Sequence, residues 1–204
     1  MVDLYIWTLN NKNMGWRVSF YRADKDNPVI VKQEVDDGET YNDITINGEQ
    51  IMYDQATDIW CELSYRNDEF KKEIKCLQED SDRDFFSITK QGFKMIILAY
   101  RDKVINILKK QIEVHKNPAL KNTSEYWGYD GDLLKTMEDE LYTWETSWSR
   151  DDEGGRGYEN IELDTPKSQF GISGSWKYKY AIFDMIEVYK YFDWDNYTMV
   201  VYGG

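Results

Sequence analysis

His115 is the only histidine of the 204-residue chain, so any acid–base device that needs an imidazole must use it. It falls at the end of a long helical pattern, where a histidine gains from the negative end of the helix dipole. That structural role accounts for it without invoking catalysis. The two cysteines, Cys61 and Cys76, do not form a CxxC pair, and neither has a recognised nucleophile context. Two histidines cannot bind zinc in a chain that has one, and no ligand spacing supports a mixed site of Cys, His and carboxylate. Asp80, Asp82 and Asp84 begin like a calcium loop, but such a loop needs Gly at its sixth position and Glu at its twelfth. Phe85 and Gln91 stand at those positions, so the triplet reads as a solvated loop. Gly154, Gly155, Arg156 and Gly157 lack the Lys-Ser/Thr pair of a phosphate cradle and lie among acids that repel phosphate. Carboxylate pairs such as Glu138 and Asp139 abound, but glycoside hydrolysis needs two carboxyls at a set separation across a cleft, which spacing in sequence does not supply. The expectation is a protein with no catalytic residues, no metal and no cofactor.

Charge is the more informative signal. The chain holds 38 acids against 25 Lys and Arg, for a net charge of −13. Nucleic acid is bound by neutralising phosphates with Lys and Arg, so direct binding to nucleic acid or to anionic membrane is not expected. A basic protein partner is the natural complement. The charge is unevenly placed. Residues 1–84 carry a net −9, residues 85–121 a net +6 and residues 122–204 a net −10. A basic helix, with Lys90, Lys94 and Arg101 on one side, thus lies within an acidic protein. It either pairs internally with acids or forms a patch. From Glu125 to Asp164 the chain has 13 acids against Lys135, Arg150 and Arg156. Asp132 and Asp139 share one helical side and Glu138 and Glu145 another, each pair about 10 Å apart. Carboxylates at such intervals can imitate a nucleic-acid backbone. Asp132, Asp139, Glu145, Asp151, Asp152, Glu153 and Glu159 are therefore the candidate partner-binding face. Asp24, Asp26, Asp36 and Asp37, at an end of the expected sheet, carry similar charge and serve as its comparison set.

The elements that must position these groups begin with strands. Residues 2–9 and 16–22 are β-rich runs around a turn-type cluster, and Trp16, Val18 and Phe20 alternate with Arg17 and Ser19 as on a strand with one wet face. Asp24 to Pro28 signal a turn, and residues 29–35 a third strand. Asn47-Gly48, inside residues 43–53, suits a two-residue type I′ hairpin because both central positions need φ > 0. Helices then take over. Residues 67–79 carry Phe70, Ile74 and Leu77 at helical spacing, with Asn67 or Asp68 as N-cap. Residues 88–115 form a largely buried helix that Asn117-Pro118 ends. Residues 131–149 place Leu134, Met137, Leu141, Trp144 and Trp148 on one face, with Asp130 as N-cap. Residues 150–174 read as a loop. Residues 176–192 fit a helix followed by a terminal strand at 197–203, though the aromatic and β-branched content also allows two strands, 186–192 and 197–203, as a hairpin around residues 193–196.

The fold class that follows is α+β: an N-terminal antiparallel sheet packed against three or four helices, with a C-terminal strand able to return to a sheet. One domain over 1–204 is expected, since no Pro-, Ser- or Gly-rich tract marks a linker. The N-terminus has no basic region followed by a long apolar run, so a signal peptide is not expected. No apolar run reaches the length of a membrane helix, and the expected location is the cytoplasm. In size, acidity and aromatic content the chain is similar to two broad classes of stoichiometric binder. One comprises acidic phage-type inhibitors that occupy nucleic-acid-binding clefts of host defence enzymes. The other comprises cytosolic immunity proteins that block bacterial toxins. The expected function is a non-enzymatic inhibitor of a basic, nucleic-acid-processing protein, with an immunity protein second and a carboxylate-based metal- or sugar-dependent enzyme third.

Overall fold

A computed structural model describes residues 17–53, 57–79, 84–117, 119, 133–147 and 175–203. The elements in chain order are β1 (Val18–Asp24), β2 (Val29–Asp36), β3 (Glu39–Ile46), β4 (Gly48–Tyr53), α1 (Thr57–Arg66), α2 (Asp68–Lys72), β5 (Ile74–Glu79), β6 (Asp84–Ile88), α3 (Lys90–Lys116), α4 (Leu133–Ser147), α5 (Ser175–Tyr191) and β7 (Tyr197–Gly203). The fold is α+β. Five strands form one antiparallel sheet in the order β4-β1-β7-β6-β5, and β2 and β3 form a separate two-stranded sheet.

The C-terminal strand does more than return to a sheet: β7 is its centre. Val200 lies opposite Tyr21 of β1 and opposite Ser87 of β6. Residues opposite one another share a face, which sorts the sheet into two sides. One side carries Val18, Phe20, Met52, Ile88, Met199 and Val201 into the main core. The other carries Tyr21, Phe85 and Tyr202, with Tyr202 in ring contact with both neighbours.

The helices cover the first side. α3 runs through the core on Phe93, Ile96, Ile97, Val104 and Leu108, all fully buried. Its run of apolar residues nearly all round the helix predicts this burial. Thr89 caps it, accepting from the Gly92 amide at 3.0 Å. α4 packs against α3 through Met137 and Trp144, and α5 through Ile182, Met185 and Ile186. The helical reading of residues 176–192 holds, and the two-strand alternative does not.

Two expectations are corrected. Residues 67–79 are not one helix. Asn67 does cap a helix, accepting from the Glu69 and Phe70 amides, but α2 ends at Lys72 and the chain continues as β5. Ile74-Lys75-Cys76 is as compatible with period two as with a helix, and its register against Ile88, Ser87 and Phe86 of β6 decides the matter. Asn47-Gly48 is not a hairpin turn either. β3 and β4, on its two sides, belong to different sheets. The type I′ signature sits at Asp37-Gly38, where φ is +48° and +85°, and this turn joins β2 to β3. Gly48 is glycine for another reason. A Cβ there would lie 2.1 Å from the Arg22 carbonyl oxygen.

The strands 2–9, the N-cap Asp130, Trp148 and the loop at 150–174 lie outside the described residues, as do Asp80 and Asp82. Asp84, the last residue of the acidic triplet, opens β6.

Candidate functional site

The acidic helix α4 turns Met137, Glu140 and Trp144 inward, one face by helical geometry, and leaves Glu138, Asp139 and Glu145 exposed. Glu138 and Glu145 are seven residues apart, as are Lys109 and Lys116 of α3. That spacing is two helical turns, and the antiparallel packing brings the four into register. Lys109 Nζ lies 2.6 Å from Glu145 Oε1, and Lys116 Nζ lies 2.5 Å from Glu138 Oε1. The basic helix is partnered elsewhere along its length too. Arg101 pairs with Asp102 at 2.7 Å, Lys103 approaches Glu62 of α1, and Lys90 lies over the Tyr189 ring of α5. The internal-pairing reading of its charge is thus supported, and α4 loses part of its apparent acidity to α3.

Of the seven acids named from the sequence, Asp139 and Glu145 lie on α4, both exposed. Glu145 is the one tied to Lys109. Asp132, Asp151, Asp152, Glu153 and Glu159 lie outside the described residues. The structure thus places two of the seven on one helix and describes none of the other five.

It does assemble another acidic surface, from residues that in sequence serve only as the comparison set and from their neighbours. β1 and β4 pair up to Ala23 and Gly48, and pairing resumes at Val29 and Ile46 of β2 and β3. The four strands are thus one long hairpin, bent where residues 24–28 stand opposite Asn47 alone. The bend is hydrogen-bonded throughout. Asn47 donates from its backbone to Pro28 O and from Nδ2 to Asn27 O, and its own carbonyl accepts from the Asp24 amide at 2.9 Å. Asp24 Oδ1 accepts from the Asp26 and Asn27 amides. Lys25 Nζ reaches the Asp195 carbonyl at 2.6 Å, which ties the bend to the turn before β7.

Beyond the bend the hairpin leaves the main sheet as a ribbon. Its register puts Val29, Val31, Gln33 and Val35 on one face with Ile46, Ile44, Asn42 and Thr40. The other face carries Ile30, Lys32, Glu34 and Asp36 with Thr45, Asp43, Tyr41 and Glu39. One face is thus largely apolar and the other acidic. With Asp37 at the turn the ribbon holds five acids and one base. Lys32 stands opposite Asp43, and Glu34 accepts from Tyr41 Oη at 3.0 Å. Asp36, Asp37 and Glu39 gather at the tip. Val31 is 43% exposed and Val35 71%. A two-stranded ribbon is marginal by itself, and this one keeps β-branched residues in solvent.

The groups with reactive potential are dispersed. His115 Nδ1 lies 2.8 Å from the Gln111 carbonyl within the last turns of α3, the helix-end position expected of it. Cys61 is half-buried in α1, and burial, reinforced by the Asp58 charge, pushes its thiol pKa up. Cys76 is exposed on β5, at the sheet's edge. Among the described residues no three His, Cys, Asp or Glu side chains converge as a metal site requires. No described helix is long and apolar enough to cross a membrane. The chain matches no family model, and no curated protein or solved structure matches it.

The signal that could have found the ribbon was present in the sequence. Asp37-Gly38 lies between Lys32-Gln33-Glu34-Val35 and Thr40-Tyr41-Asn42-Asp43, and Asp-Gly is as good a type I′ pair as Asn-Gly.

Proposed function

We propose that this chain is a non-enzymatic inhibitor that binds a basic, nucleic-acid-processing protein and occupies its cationic surface. One observation carries the reading: an acidic ribbon that extends beyond the main sheet with five carboxylates against one lysine, in a chain of net charge −13. Carboxylates on a strand pair take a set spacing, about 7 Å between alternate residues, and can stand where phosphates otherwise lie. Complementary charge would speed capture of such a target and orient it. The cytoplasm is the site of action in this proposal. A toxin with a basic active surface would be met in the same way, which keeps the immunity role within the same test.

The test is inhibition of a panel of purified basic nucleases and nucleic-acid-binding enzymes by the full chain. The expected result is one-to-one inhibition of a panel member, relieved by excess nucleic acid and weakened between about 50 and 300 mM salt as screening shortens. Inhibition that neither salt nor excess nucleic acid relieves would refute occupation of a cationic nucleic-acid surface.

A further inference from the structure

An extended segment added to the edge of a sheet has no choice about its side chains: alternate residues go to opposite faces. The ribbon beyond the bend fixes what each face offers. On β2 the apolar face presents Val29, Val31, Gln33 and Val35, and the opposite face presents Ile30, Lys32, Glu34 and Asp36, with Lys32 opposite Asp43 of β3. β2 has β3 along one edge and, among the described residues, no strand along the other. Val31 and Val35 are well exposed beside that edge.

We propose that the outer edge of β2 is a docking edge for an extended segment of the partner protein in which apolar and basic residues alternate. The inference rests on the reading of a basic partner and specifies how that partner is held. The added strand would hydrogen-bond to the β2 backbone. Its apolar residues would continue the valine face, and its Lys or Arg residues would meet Glu34, Asp36 and the acids of the tip. Backbone pairing supplies affinity in this mode and the alternate side chains supply specificity.

A second copy of the chain is the rival occupant of the same edge. Two ribbons parallel and in register bring Glu34 and Asp36 against their own counterparts, which destabilises a strand pair, whereas an antiparallel pair centred on Gln33 sets Lys32 against Glu34. Sedimentation of the chain alone separates the two occupants, and a dimer lost in the Val31→Thr, Val35→Thr variant would overturn the cationic strand. Charge on an edge strand is a common protection against self-pairing. Here the ribbon's five acids against one lysine favour a cationic strand over a second copy of this acidic chain.

The experiment uses the full chain and two peptides the length of β2, which has 8 residues. One peptide alternates Val and Lys. The other has the same composition with the valines in one block and the lysines in another, so net charge is identical and only the alternation differs. Affinity is measured by fluorescence anisotropy and the contact is located by amide hydrogen exchange. The alternating peptide should bind about ten-fold more tightly than the block peptide, a difference that a few cross-strand side-chain pairs supply. It should slow exchange along β2. The double variant Val31→Thr, Val35→Thr keeps β-branched shape and removes apolar surface. It should lose about five-fold for the alternating peptide and almost nothing for the block peptide. Glu34→Gln with Asp36→Asn should weaken both. Unchanged thermal melting of each variant shows that the main sheet is intact.

Equal affinity for the two peptides, or unaltered binding of the alternating peptide by the Thr variant, would overturn the docking edge. That outcome leaves the cationic-target reading standing, because inhibition of the enzyme panel decides that reading separately. The converse pattern, peptide discrimination without any inhibited enzyme, would keep the edge and remove the inhibitor reading.

Discussion

Replacing Gly48 by alanine should lower the melting temperature of the whole protein by about 9 °C. The site is where β4 begins beside β1, at the bend of the long hairpin. A Cβ on Gly48 would stand 2.1 Å from Arg22 O, 2.6 Å from Ala23 Cα and 2.8 Å from Arg22 C. All three are backbone atoms of β1, so no side-chain rotation relieves the overlap. An ordinary carbon–oxygen contact is about 3.3 Å or more, so the strands must separate locally by about 1 Å. The adjoining Asp24 N to Asn47 O bond, now 2.9 Å, would then be stretched beyond useful length. Overpacking of this kind costs about 1–3 kcal/mol, and a lost backbone bond adds about 1 kcal/mol. Their sum, about 3 kcal/mol, converts to the shift above at this chain length. Differential scanning calorimetry or circular dichroism gives the measurement. Gly38→Ala is the control. Gly38 has φ +85°, and no heavy atom lies within 4 Å of the place its methyl group would take. The substitution there costs about 1 kcal/mol of backbone strain at the ribbon turn alone. A Gly48→Ala protein melting within about 2 °C of the parent would refute the close-approach argument, since that shift corresponds to less than 1 kcal/mol.

Trp144→Ala should cost about 4 kcal/mol in denaturant unfolding, because the ring is fully buried between α4 and α3; a loss under about 2 kcal/mol would mean the site collapses around the gap. A double-mutant cycle on Lys109 and Glu145, both substantially exposed, should give a coupling below about 1 kcal/mol that fades in salt; a larger, salt-independent coupling would contradict a solvated pair. Iodoacetamide near neutral pH should modify exposed Cys76 before Cys61, whose thiol is held protonated by burial; peptide mapping that finds Cys61 modified first would reverse this. The Asp193 carboxyl is held below its usual value by the Asn196 side-chain amide and by the Asn196 and Asp195 backbone amides. Its lowered folded pKa means that the turn's stabilisation is present above the usual carboxylate range and is lost as pH falls through the folded value. The midpoint of the Asn196 amide transition should therefore lie below the usual Asp value of about 3.9; a midpoint at or above that value would refute the assignment.

The long elements were legible because one pattern dominated each. α3 has caps, length and an apolar run that no strand could use, and α5 holds Ile182, Met185 and Ile186 on a helical face. β5 was hidden because Phe70, Ile74 and Leu77 keep helical spacing while Ile74 and Cys76 also fit a strand, and only pairing with β6 separates the two readings. The glycine dipeptides show a different limit. Both Asn47-Gly48 and Asp37-Gly38 satisfy the local requirement of a tight turn, but one glycine serves φ and the other serves a neighbour that is distant in sequence. The candidate site suffered in the same way. Glu138 and Glu145 look like part of an acidic row until Lys109 and Lys116 are placed beside them, and net charge along the chain carries no information about that packing. The ribbon acids are fewer in sequence, yet they are displayed together because the bend carries them out of the main sheet.

The position of β7 has a consequence for how the molecule is made. Val18 of β1 pairs with Gly203 of β7, and Asp84 of β6 pairs with the same residue from the other side. During synthesis, β4-β1 and β6-β5 therefore exist as two separate hairpins, each with a raw inner edge, until the segment from Tyr197 has left the ribosome. Neither can complete a ladder with the other, since among the described strands β7 is the one that bridges them. A nascent chain stalled before this point holds two half-sheets and an α3 whose sheet-facing side lacks β7, the kind of species that chaperones hold and proteases remove. Emergence of β7 from the exit tunnel supplies the joining strand, so the five-stranded sheet can be completed only after the last of its strands is made.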